Sequence, residues 1–161
     1  MPVIRAADPA FNAERTVELL REAAEQDTAL VVFPELGLTG YSIDDLVQQD
    51  AILDAALTGL AQVLEASRGL RPAVAVGLPL NVGDALFNCA AVLRDGELLG
   101  VVPKSYLPNY REFYEQRYFS AARDAGALHL RVRDPRFWPA VGVVLDVLTA
   151  TGGQDRKSTR L

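Results

Sequence analysis

The sequence has few residues of the kinds that cross-link a chain or bind metals. Its 161 residues include one cysteine, one histidine, one methionine and one tryptophan. A single cysteine cannot form an intrachain disulfide, and a lone histidine without cysteines or carboxylates at ligand spacing is a poor metal ligand. We therefore predict no metal site. We interpret Cys89, in the apolar stretch LFNCAAVL, as a buried structural residue, and His129 as lying on the outer face of a strand.

Positive charge and long apolar runs are also scarce. Lys and Arg number 16 against 21 Asp and Glu, and the sequence pI is near 4.9. No basic stripe of the kind that binds nucleic acid is present, so we expect no nucleic-acid partner. No apolar run reaches the roughly 20 residues of a membrane span, and MPVIRAADPAFN lacks the features of a signal peptide. We expect a single cytoplasmic domain with no membrane contact.

Hydrophobic periodicity predicts an α/β order of elements. DPAFNAERTVELLREAAEQD is typical of a helix, with Asp8 as its N-cap or, alternatively, Asn12 after a short turn. ALVVF and PAVAVGLPL are predicted strands covered on both faces, with a second helix over residues 49–66 between them. ALFNCAAVLRDGELLGVVPKSYL predicts two strands joined by Asp95 and Gly96. The order indicates an α/β domain with a mixed sheet, in which a strand before the first helix is short or missing.

Two residues of opposite charge follow apolar strands. Glu35 comes after ALVVF and Lys104 after LLGVV, each preceded by a proline that ends the strand. Because open α/β sheets carry their chemistry outside the carboxyl ends of their strands, the two residues are candidates for acid–base catalysis. If the strands are neighbours, the acid and the amine meet in one cleft. The alternative is a solvated loop glutamate and a surface salt bridge worth little. Hydrophobic periodicity alone does not distinguish between these two interpretations.

Three stretches carry a family resemblance. VVFPELGLTGYSIDDL, AVAVGLPL and FNCAAVLRDGELLGVVPKSYLPNYREFYEQRYF together resemble the nitrilase (carbon-nitrogen hydrolase) superfamily. PKSYLPNYREFYE is similar, more narrowly, to the amino-terminal glutaminase domains of bacterial glutamine-dependent NAD synthetases. The resemblance implies an α/β fold, a partial αββα sandwich with a mixed sheet. It predicts the front part of a hydrolase domain over residues 1–119, a divergent or frame-shifted continuation over 120–153 and a non-native tail over 154–161.

The family site is a Glu, Lys and Cys triad. The resemblance implies that Glu35 is the general base and Lys104 the stabiliser of the tetrahedral oxyanion. It also implies that Tyr41, Tyr110 and Glu115 belong to the substrate pocket, where Glu115 holds Lys104 or the substrate amine. The family's nucleophilic cysteine lies in a later segment resembling EICED, and nothing of that form occurs here. We therefore predict a fragment that is inactive by itself.

The resemblance also implies the reaction and its partners. Glutamine is the expected substrate, and its side-chain amide supplies ammonia for ATP-dependent NAD synthesis from deamido-NAD. No cofactor is expected for the amidase half, and ATP and magnesium belong to a synthetase domain that this chain lacks. The family assembles into homo-oligomers. Two alternatives stay open: another amidohydrolase of the superfamily, or a non-catalytic α/β interaction module that has kept the surface without the nucleophile.

Overall fold

Two helices pack on one face of a four-stranded sheet in the computed structural model, which describes residues 1–125, 129–130 and 145–146. The predicted order of helix, strand, helix, strand and hairpin is confirmed. In chain order the elements are α1 (Pro9–Glu25), β1 (Leu30–Val32), α2 (Asp50–Ala66), β2 (Ala73–Val82), β3 (Ala85–Arg94) and β4 (Glu97–Pro103). Short 3-10 helices cover Asp44–Gln48, Glu115–Arg117 and Ala122–Ala125, and a separate strand pair comprises β5 (His129–Leu130) and β6 (Leu145–Asp146).

The first helix begins at one of the two N-caps that the sequence predicts. Asp8 is the N-cap, and its Oδ1 accepts a hydrogen bond from the backbone N–H of Phe11 at 3.1 Å. Asn12 lies inside the helix and is buried. Its Oδ1 accepts from the backbone N–H of Arg5 at 2.8 Å, and its Nδ2 donates to the carbonyl of Leu38 at 3.0 Å. Asn12 therefore joins α1 to the segment after β1, where the site lies.

The sheet is mixed, as the sequence predicts. Its order is β1-β2-β3-β4, with β1 parallel to β2 and both other pairs antiparallel. It follows that β1, β2 and β4 point the same way and end at the same edge. Asp95 and Gly96 join β3 to β4 with φ of 50° and 74°, the left-handed values that a tight hairpin turn requires. Residues 1–8 contain no strand, in agreement with the predicted short or missing first strand.

The main core lies between the sheet and the two helices. It includes Ala13, Leu20, Leu60, Val63, Val74, Val76, Leu78, Leu80, Phe87, Cys89, Ala91, Leu93, Leu98 and Val101. On the opposite face of the sheet, Leu30 is 56% exposed and Val32 is 69% exposed. The prediction that ALVVF is covered on both faces is therefore wrong for the residues described, because side chains alternate along a strand: Val31 and Phe33 pack in the core, whereas Leu30 and Val32 do not. Within those residues, no helix is long and apolar enough to cross a bilayer.

Candidate active site

Glu35 and Lys104 follow the two outer strands of the sheet, yet their side chains touch. Lys104 Nζ lies 2.6 Å from Glu35 Oε1. The strands are not neighbours, because β2 and β3 lie between them. The chain after β1 instead crosses over β2: Leu38 N–H donates to the carbonyl of Gly77 at 3.1 Å, and a Cβ on Gly77 would lie 2.5 Å from the backbone nitrogen of Leu36. This crossing brings Glu35 from the end of β1 over β2, within reach of Lys104 at the end of β4.

Asn88 on β3 is the third member of the contact. Its Nδ2 donates to Glu35 Oε1 at 2.5 Å, the same oxygen that Lys104 contacts. Its backbone carbonyl accepts from the Lys104 N–H at 2.8 Å, which fixes the start of the loop after β4. The sequence reasoning missed Asn88. The available signal was a lone amide within the apolar run LFNCAAVL, since a buried polar side chain requires a partner.

Glu115 holds Lys104 from the other side. Its Oε1 accepts from Lys104 Nζ at 2.9 Å and from the hydroxyl of Tyr41 at 2.6 Å. The Glu115 side chain is only 5% exposed and that of Lys104 is 28% exposed, whereas that of Glu35 is 43% exposed, so the network runs from a buried carboxylate to an accessible one. Glu115 Oε2 is buried and has no hydrogen-bond partner among the described residues.

The network fixes the protonation of its cation and its phenol. Burial is the largest influence on the pKa of Lys104 and lowers it, but hydrogen bonds to Glu35 and Glu115 and their negative charge together outweigh it. The pKa of Lys104 is therefore raised, and the side chain stays an ammonium. Burial, followed by the hydrogen bond to Glu115, raises the pKa of Tyr41, which stays a neutral donor.

Tyr110 lies farther out than the other predicted site residues. Its side chain is exposed, and its ring packs edge-on against Phe113 at 5.8 Å between centroids. Phe113 packs in turn against Tyr41 at 6.5 Å. A cavity of about 80 Å³ lies beside these rings and is lined by Leu36, Tyr41, Ile43, Asp44, Val47, Glu112, Phe113, Tyr114, Glu115, Tyr118 and Phe119. Tyr110 is thus linked to the charged network through an aromatic contact.

Cys89 faces away from this network. It follows Asn88 on β3, and because successive side chains alternate, its thiol points into the core beneath the helices. Burial raises the pKa of Cys89 to about 12, which keeps it a thiol. Its interpretation as a structural residue fits this position. His129 lies on a strand, β5, and the position of its side chain falls outside the described part of the chain.

Comparison with known proteins identifies the family. A model of the carbon-nitrogen hydrolase family matches residues 1–148 of the 161-residue chain. The chain belongs to the carbon-nitrogen hydrolase family. The glutamine-dependent NAD(+) synthetase of Mycobacterium tuberculosis is 48% identical over 110 residues, which are 68% of this chain and 16% of that protein. This carbon-nitrogen hydrolase chain thus spans about one sixth of the length of that relative.

Solved structures of the family share the fold. A glutamine-dependent NAD+ synthetase from Acinetobacter baumannii, in complex with ADP, superposes with a TM-score of 0.68 at 32% identity over 73% of this chain and 22% of that one. An amidase from Nesterenkonia superposes with a TM-score of 0.62 at 24% identity over 75% of this chain and 47% of that one. The resemblance inferred from the sequence motifs is therefore confirmed, as is the α/β fold class of the nitrilase-like neighbours.

Proposed function

We propose that this chain is part of a domain that hydrolyses the side-chain amide of glutamine to supply ammonia for NAD synthesis. The observation that carries the proposal is the position of Lys104 Nζ, 2.6 Å from one carboxylate and 2.9 Å from another. A base and a fixed cation side by side are what thiol-dependent amide hydrolysis requires. The names of the relatives indicate the substrate and the product.

Glu35 is the proposed general base. It takes the proton of an attacking thiol, and the thiolate adds to the amide carbon of glutamine. Lys104 stabilises the oxyanion that forms on the carbonyl oxygen. Glu35 then returns the proton to the departing ammonia, and it activates the water that hydrolyses the thioester.

The attacking thiol does not come from Cys89. That thiol lies in the core on the helix side of the sheet, opposite Asn88 and Glu35. These 161 residues then supply no cysteine nucleophile to the site, and the chain by itself is predicted to be inactive. The limits of residues 1–119, 120–153 and 154–161 remain part of this proposal.

Tyr41, Glu115 and Tyr110 have distinct proposed parts in glutamine binding. Glu115 keeps Lys104 in place through its 2.9 Å contact, and Tyr41 supports that carboxylate through its hydroxyl. The exposed ring of Tyr110 is available to contact the substrate. A carboxylate buried beside a lysine acts more strongly than a surface pair because water screens it less.

The remaining proposals follow from the named relatives. The amidase half needs no cofactor for this chemistry, whereas ATP and magnesium serve a synthetase domain in the full-length enzyme. That domain is the proposed partner that receives the ammonia, in a homo-oligomer located in the cytoplasm.

The direct test is ammonia release from glutamine by the purified 161-residue chain. We expect no release above that of the Glu35→Gln variant. Turnover that Glu35→Gln abolishes and the exposed-surface variant Glu22→Gln does not would contradict the predicted inactivity. It would also show that the chain supplies its own nucleophile.

A chimera tests the catalytic roles. Residues 7–119 of this chain replace the matching stretch of the Mycobacterium tuberculosis relative, which supplies the rest of the enzyme. We expect glutamine-dependent ammonia release, reduced about 10²- to 10⁴-fold by Glu35→Gln and unchanged by Glu22→Gln. A chimera that folds and binds glutamine but whose activity survives Glu35→Gln would overturn the proposal.

A further inference from the structure

The backbone around Glu35 lies unusually close to β2. A Cβ on Gly77 would lie 2.5 Å from the nitrogen of Leu36, 2.7 Å from the carbonyl oxygen of Pro34 and 3.0 Å from the carbonyl carbon of Glu35. All three contacts are backbone atoms, so no flexible side chain can yield. Gly77 is therefore required here for space, because any larger residue would push the Glu35 segment away from the sheet.

The same segment contains a residue with an unfavourable backbone conformation. Leu36 has φ of 49°, in the left-handed region that residues with a Cβ rarely adopt. It is nevertheless buried in a second apolar cluster, and its carbonyl accepts from the N–H groups of Thr39 at 3.0 Å and Gly40 at 2.7 Å. Such conformations persist only where the surroundings impose them, and they concentrate at functional sites.

The carboxylate of Glu35 is held at one oxygen only. Asn88 Nδ2 and Lys104 Nζ both donate to Oε1, at 2.5 and 2.6 Å. In the described part of the chain no group donates to Oε2. Oε1 thus carries both contacts that orient the group, which leaves Oε2 without a donor among those residues.

We propose that Gly77 and Asn88 are positioning residues that fix Glu35 so that Oε2 is the atom that exchanges protons. The inference rests on the proposed function for the role of Glu35, and it goes beyond that function in naming what sets its geometry. Gly77 lets the backbone reach its place over β2, and Asn88 sets the rotation of the carboxylate. Neither residue is proposed to touch the substrate.

The test uses nuclear magnetic resonance on the 161-residue chain with labelled lysine side chains. The pKa of Lys104 reports on Glu35, because the contact with that carboxylate helps to raise it. We expect Gly77→Ala to lower the pKa of Lys104, as Glu35→Gln does. The matched control is Gly100→Ala on β4, where an added Cβ meets nothing within 4 Å; we expect no change there. A folded Gly77→Ala chain with the wild-type pKa at Lys104 would overturn the role of Gly77.

A second measurement needs no destabilising variant. A through-hydrogen-bond scalar coupling from Asn88 Nδ2 to the carboxyl carbon of Glu35 is expected in the wild-type chain and in Gly100→Ala. It should be lost in Glu35→Ala, which removes both acceptor oxygens. Absence of this coupling in the wild type would overturn the role of Asn88. Both measurements report position and not turnover, so they can succeed where the ammonia test of the chimera fails, and the two failures are distinguishable.

Discussion

On the helix side of the sheet, the inward side chains of β2 are all apolar and buried, from Val74 to Leu80. On the other side, Val32 on β1 and Leu99 on β4 are exposed apolar residues, and the polar contacts of Glu35 and Asn88 lie towards one end. The two faces belong to the same strands and alternate residue by residue. The larger apolar core therefore lies on one face, while the other carries the candidate chemistry beside a smaller apolar cluster.

The contrast explains how a polar network is accommodated beside an apolar sheet. Burying a charge is costly unless it is paired and hydrogen-bonded. Lys104 is paired twice, by Glu35 and by Glu115, and Asn88 supplies a further donor. The helix side contains no comparable ion pair among the described residues, so its contribution to stability is packing.

The largest expected effect separates the two faces. Leu78→Ala removes a fully buried side chain of β2 and should lower the free energy of unfolding by about 3 kcal/mol, because it leaves a cavity. Leu99→Ala makes the same chemical change at a position that is 54% exposed, and should cost about 0.5 kcal/mol or less. Urea titrations followed by circular dichroism measure both. Equal costs would mean that the second face is covered in solution.

Removing the shared cation has the next largest effect. Lys104→Met leaves the buried Glu115 carboxylate without its positive partner, and should destabilise the chain by about 2 kcal/mol. Breaking a fully buried pair costs about 3–5 kcal/mol, but Lys104 is partly exposed. Glu35→Gln should cost less than about 1 kcal/mol, because Lys104 keeps Glu115 paired. If the two variants are equally stable, Lys104 does not stabilise Glu115.

The sequence was enough to predict the elements and four members of the network, two from their positions after strands and two, Tyr41 and Glu115, from the family resemblance. Local signals account for this success: Asp8 before a helix, an Asp95–Gly96 turn, and apolar periodicity in α2. Glu35 and Lys104 were identified because each follows a strand. We predicted that they would meet if their strands were neighbours. In the structure β1 and β4 are not neighbours, and the contact forms because the chain after β1 crosses over Gly77.

The features that the sequence did not predict depend on contacts between residues far apart in the chain. In the sequence, Asn88 is not distinguishable from other polar residues in strands. Its role depends on the crossing that brings Glu35 into contact with it. In the sequence, Gly77 is only a residue with low strand propensity. An isolated glycine within a strand can, however, mark the close approach of another backbone segment. The exposure of Leu30 and Val32 was missed because a short apolar run does not reveal which of its faces is covered.

The buried thiol makes the helix side sensitive to alkaline pH. Burial raises the pKa of Cys89 to about 12, from an ordinary value near 8.5. Because folding raises the pKa of Cys89, the stabilisation from keeping this thiol protonated is fully present below the pKa of the unfolded chain. It is lost as the pH rises towards 12. Stability should therefore fall by about 1.4 kcal/mol for each pH unit above about 9. Urea midpoints at pH 8, 9 and 10, measured with a reductant, should show a flatter profile in Cys89→Ala. An equally steep profile would assign the loss to other groups.

The smallest expected effect tests the exposed face itself. Val32→Thr keeps the shape of a residue that is 69% exposed and adds a hydroxyl that water can reach, so stability should change by less than about 0.5 kcal/mol. The same change at Val76, which is 1% exposed, buries the hydroxyl and should cost about 1–3 kcal/mol. If Val32→Thr proves as costly as Val76→Thr, an apolar surface must cover β1 in solution. A free energy of unfolding that rises with protein concentration would then identify that surface as a second copy of the chain, and one independent of concentration would place it within the chain.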